Sequence, residues 1–151
     1  MVTEQVIYSA AAELDQFEQE VKQFEKGQPA AYAYLFTSAL DVLTVEEREY
    51  LLYLAIVIRK AILQERKALP TLTEEQIGER EEANYGLLPE GGGRFRDKLT
   101  PFFEQSKEED LLAFVEDALE IDTEDEDEFS VTPEGREPIF LTLKTLIDCW
   151  T

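Results

Sequence analysis

Tyr50-Leu51-Leu52-Tyr53-Leu54-Ala55-Ile56-Val57-Ile58 is a run of nine consecutive uncharged residues, and how it is read decides the fold. A helix that crosses a membrane needs about 20 such residues, and Arg59 and Lys60 end this run far short of that. Both sides of the run carry helix punctuation. Upstream, Thr44-Val45-Glu46-Glu47 places a hydroxyl three residues before a glutamate, so that each side chain satisfies an orphan backbone donor at a helix start. Downstream, Arg66 and Lys67 fall in the last turn, where positive charge complements the helix dipole, and Pro70 stops the helix. The segment predicts a helix over about 45–69 that forms the centre of a core.

Working outward, Ile7, Ala10, Leu14, Phe17, Val21 and Phe24 recur at alternating steps of three and four, with charged residues between them. This spacing puts the apolar groups on one stripe and predicts an amphipathic helix over about 3–26, ended by Gly27 and Pro29. The same stripe is a candidate seam for a homodimer, although packing inside a helical domain uses it equally well. Residues 30–43 are apolar almost all round, with Asp41 as their one charge, and read as a buried second helix. Thr73-Glu74-Glu75-Gln76 repeats the capping signature and opens a short, exposed helix to about Asn84. Residues 94–105 form a further helix that Pro101 bends or divides. Ser106-Lys107-Glu108-Glu109 is a third capping signature, leading into Leu111, Leu112, Phe114, Val115, Ala118, Leu119 and Ile121 on one face. A last helix is expected to start at Pro138 in the favoured N1 position and to bury Ile139, Leu143, Leu146, Ile147 and Trp150. No alternating strand pattern of useful length occurs. The fold class is therefore all-α: a single-domain bundle of six to seven helices over 1–151, packed around the 45–69 helix.

Composition narrows the function. The chain has 151 residues, 34 acidic against 14 basic, and a formal net charge of −20. Such a charge repels nucleic-acid phosphates and anionic lipid, so neither nucleic acid nor a membrane is an expected partner, whereas a basic protein is. Histidine is absent, which removes His-based triads, helical Glu-x-x-His metal sites and His-containing zinc sites together. One cysteine, Cys149, permits no intrachain disulfide and reads as a small apolar residue rather than a nucleophile. The segment from Met1 to Glu4 lacks the basic start and apolar run of a signal peptide, so a cytoplasmic location is expected. No catalytic residue, cofactor or metal ligand set is assigned.

Two segments are candidate sites. Gly91-Gly92-Gly93 followed by Arg94, Arg96 and Lys98 is a glycine-rich turn feeding a helix start, which presents backbone N–H groups and positive charge to an anion. Three bases stand against two acids over 94–105, but one against thirteen over 106–135. The pattern lacks the Gly-Lys-Ser/Thr ending of a Walker loop and a preceding strand. A surface turn whose arginines pair with nearby acids is its commoner role. The run Asp122, Glu124, Asp125, Glu126, Asp127 and Glu128 is the second candidate, as an acidic surface for a basic partner; the glycine and glutamate spacing of an EF-hand is missing. Carboxylate pairs at three-residue spacing, Glu79 with Glu82 and Asp117 with Glu120, share a helix face and suit Mg²⁺ held between facing helices. Two functions are thus expected: a non-enzymatic interaction module of adaptor, inhibitor or immunity type, and, as the alternative, a Mg²⁺-dependent carboxylate hydrolase of nucleotides or phosphate esters.

Overall fold

The computed structural model describes residues 1–12, 17–37, 41–89, 94–120 and 131–151. Among them every regular element is helical: α1 (Glu4–Ala12), α2 (Phe17–Gly27), α3 (Pro29–Tyr34), α4 (Val45–Glu65), α5 (Glu74–Leu87), α6 (Phe95–Lys98), α7 (Thr100–Gln105), α8 (Glu109–Leu119) and α9 (Pro133–Trp150). None of these helices is long and apolar enough to cross a membrane.

The apolar run becomes the waist of the molecule. Leu54, Ala55, Ile56, Val57 and Ile58 are all buried, so α4 is enclosed on every side at this level. It packs against α1, α2 and α9, while α9 also packs against α5 and α8. The centre is therefore shared. α9 buries Ile139, Phe140, Leu141, Leu143, Leu146, Ile147 and Trp150, and one contiguous apolar core extends from Val2 to Trp150. Phe24 joins the layers, meeting Tyr32 and Trp150 edge-on at centroid separations of 6.0 and 5.9 Å, the geometry that the ring quadrupole favours. Ile7, Ala10 and Phe24 of the N-terminal stripe are completely buried within this core, whereas Phe17 and Val21 are half-buried. Leu14 lies outside the described residues.

Caps explain where helices begin. Thr44 Oγ1 accepts from Glu47 N–H (3.1 Å) and the Glu47 carboxylate accepts from Thr44 N–H (2.9 Å), the reciprocal box that the sequence predicts. Thr73 and Gln76 repeat it at α5, with bonds of 3.2 and 3.0 Å.

Several expected boundaries are corrected. The helix expected over 30–43 spans only Pro29–Tyr34: Leu35, Phe36 and Thr37 N–H groups bond back three residues, to Tyr32, Ala33 and Tyr34 carbonyls, and this tighter winding ends it. Phe36 and Val42 are consequently exposed. The central helix stops at Glu65 rather than Leu69. Arg66 then leaves its own helix end and donates to the carbonyls of Trp150 (3.2 Å) and Thr151 (3.4 Å), complementing the C-terminus of α9 instead. The capping signature at Ser106 is not used as a box. Ser106 Oγ accepts from Glu108 N–H at 2.9 Å, Glu108 is the N-cap residue, and its carboxylate accepts from Val2 N–H at 2.9 Å. The last helix starts at Pro133, capped by Thr132, so Pro138 lies inside it. There it forfeits one bond, to the Glu134 carbonyl, because a proline nitrogen carries no hydrogen.

Candidate functional site

The sequence-predicted cations do not converge. Arg94 is the exposed N-cap residue of α6. Arg96 reaches across to α8, with Nε 2.9 Å from Glu116 and Nη2 3.0 Å from Glu120, whereas Lys98 turns toward α9 and bonds Glu137 at 2.7 Å. Two of the three are thus directed to different helices and neutralised by carboxylates. The glycines at 91–93 and the acids at 122 and 124–128 lie outside the described residues. Of the carboxylate pairs, Glu79 and Glu82 are exposed on α5 and Asp117 is exposed on α8, while Glu120 belongs to Arg96. Among the described residues no three acidic or sulfur side chains are grouped to hold a metal ion.

What the structure does bring together is a cleft of about 300 Å³ between α3 and α5. Ala30 and Ala33 of α3 face Ile77 and Gly78 of α5, so the walls are small and apolar. These helices approach because Pro29 starts α3 immediately after Gly27 closes α2, and because the Gln28 side chain between them clamps the segment leading to α5. Gln28 is buried; its Nε2 donates to Pro70 O (2.8 Å) and its Oε1 accepts from Leu72 N–H (3.1 Å). Both halves of the amide are satisfied, as burial of a polar group requires.

The cleft ends on a tyrosine and a glutamate. Tyr34 and Glu81 line it together. Burial, followed by the nearby Glu81 carboxylate, pushes the Tyr34 hydroxyl far above the usual phenol range.

Behind the cleft runs a buried polar seam between α5 and α9. Asn84 Nδ2 donates to Thr145 Oγ1 (3.2 Å) and to Asp148 Oδ2 (3.3 Å), and Asp148 is ion-paired with Lys144 one turn away on α9. Thr145 Oγ1 donates to the Leu141 carbonyl at 2.7 Å. The seam exists because α5 offers only Ile77 as a buried apolar residue, so the remaining contact with α9 is made by polar groups that satisfy one another. Cys149, half-buried at its edge, has its thiol pushed up, first by burial and then by the Asp148 charge, with Arg80 acting in the opposite direction; its Sγ lies 4.0 Å from the Gln76 carbonyl. A raised thiol is a poor nucleophile.

Sequence reading missed Gln28, Tyr34, Glu81, Asn84 and Thr145 as a group. They come from three separate stretches, and only the approach of α3, α5 and α9 relates them.

Searches against protein-family models, curated proteins and solved structures find no match to this chain.

Proposed function

We propose that this chain is a single-domain, cytoplasmic, non-enzymatic interaction protein whose acidic surface meets a basic protein partner. One observation supports the reading above the others: much of the positive charge is consumed within the molecule. Arg59 and Lys60 both pair with Glu20 (3.6 and 3.4 Å), Arg48 with Asp41 (3.4 Å), Arg96 with two glutamates, Lys98 with Glu137 and Lys144 with Asp148. Meanwhile Glu74, Glu75, Glu79 and Glu82 present their carboxylates to solvent along α5. A formal charge of −20 carried in this way gives a field that accelerates encounter with a positive surface and rejects a negative one.

The test is affinity capture with the tagged chain, followed by rebinding of the purified captured protein. A basic partner that rebinds in fixed stoichiometry at low salt and is released by about 0.5 M NaCl supports the reading, since exposed charge pairs are screened within ~4 Å at that ionic strength. Capture that salt does not weaken, or no stoichiometric partner, overturns it.

A further inference from the structure

We propose that the α3/α5 cleft receives an arginine side chain from the basic partner, an inference that rests on the acidic-surface reading above and names its anchor point. Three observations carry it. First, the cleft combines apolar walls at Ala30, Ala33 and Ile77 with carboxylates at Glu74 and Glu81, and no cation is among the described residues that line it. Arginine has the matching build, an apolar stem under a weakly hydrated charged head, and its planar fork suits a carboxylate. Second, Tyr34 and Glu81 line the cleft together; a carboxylate accepts about four hydrogen bonds, so Glu81 has positions for the planar fork of a guanidinium.

Third, Gly78 keeps the cleft open at a cost in stability. It lies inside α5, where glycine is less favourable than alanine by about 1 kcal/mol. Nothing among the described residues requires it: its backbone is not in the left-handed region, and a Cβ built there would meet none of their atoms within 4 Å. The space that a side chain would take is the mouth of the cleft.

The experiment is a titration of the isotope-labelled chain with N-acetyl-arginine amide, followed by amide NMR shifts, with the neutral isostere N-acetyl-citrulline amide as control. Saturable shifts at Ala33, Gly78 and Glu81 with the arginine derivative and none with the citrulline derivative are expected. Gly78→Leu, which fills the mouth, should abolish them while melting at or above the temperature of the parent chain. Glu81→Gln should weaken binding about tenfold, as loss of a specific charge pair does. Shifts that do not saturate and spread over the exposed glutamates, shifts of equal size with citrulline, or shifts that survive Gly78→Leu each overturn the cleft assignment. The two readings fail separately: a partner captured in a salt-dependent way by both the parent and Gly78→Leu leaves the acidic surface standing and removes the cleft. Failure of partner capture together with cleft shifts removes the protein partner and leaves the arginine site.

Discussion

Glu47 joins the start of its own helix to that of another, through Thr132, 85 positions further along the chain. Its carboxylate accepts Thr44 N–H at the head of α4, and also Thr132 N–H and Oγ1–H, each at 2.9 Å, at the head of α9. Burial pulls its acidity toward the neutral form, but the hydrogen bonds from Thr44 and Thr132 together outweigh burial and hold it below the usual carboxylate range. A folded value below the unfolded one stabilises the protein fully above the ordinary glutamate pKa, and that contribution disappears as pH falls through the folded value. Urea melts of the parent and of Glu47→Gln should therefore differ by about 1–3 kcal/mol at pH 7, the cost of mismatching buried donors, and the gap should close on acidification below about pH 4; a gap independent of pH would refute this. Gly135 belongs to the same junction. A Cβ there would overlap Oε2 of Glu47, with its Cδ at 3.0 Å and Leu43 Cδ2 at 3.3 Å, so Gly135→Ala should cost about 1–3 kcal/mol in the same melts, and an unchanged midpoint would show that the carboxylate moves aside freely. The Thr44–Glu47 box was legible from four consecutive residues. The bond to Thr132, and the need for glycine at 135, were not, since both arise from the docking of α9 on α4.

At the scale of the element, capping chemistry was the most readable signal, because it is local. Thr44 and Thr73 start α4 and α5 where their hydroxyl-to-acceptor spacing places them. Replacing Thr73 with Ala should lower stability by about 1 kcal/mol, since it leaves the Gln76 N–H without its side-chain acceptor, and thermal melts should show a modest drop with the helical signal retained; a larger loss would mean that Thr73 has a role beyond the cap. Where local signals competed, geometry decided between them. Thr132-Pro133 and Pro138 both resemble helix starts, and the earlier one wins because Thr132 Oγ1 accepts from Gly135 N–H at 3.2 Å while its own N–H is bound by Glu47. Asn84 resembles the end of α5 as a sequence, yet it is buried inside the helix because Thr145 and Asp148 stand opposite to receive its amide. The α3/α5 cleft was invisible for the same reason. Its walls are alanines and a glycine, residues that declare nothing until two helices are laid side by side.

For the molecule as a whole, the excess of carboxylates sets the balance between cohesion and repulsion. One contiguous core must hold together a body with a formal charge of −20, and self-repulsion of that kind opposes compaction. Raising NaCl from about 10 mM to about 300 mM shortens the screening length from roughly 30 Å to under 10 Å, so the melting temperature should rise over this range; a fall would mean that the internal ion pairs, also weakened by salt, outweigh the repulsion. The two ends of the chain add a different property. The Met1 amino group lies 3.9 Å from Glu65, and Arg66, the next residue, holds the Thr151 carbonyl at 3.4 Å. Residues 1 and 151 are therefore tied to the side chains of adjacent positions at the end of α4, within reach of a spliced bridge of about eight residues, some 26 Å when extended. Adjacent ends are the condition under which a chain can be rewired in circular order and cut elsewhere, for instance between the exposed Asp41 and Val42. Such a permuted version would keep both helix junctions and the cleft, and would leave the 1/151 corner free of tags and surface tethers.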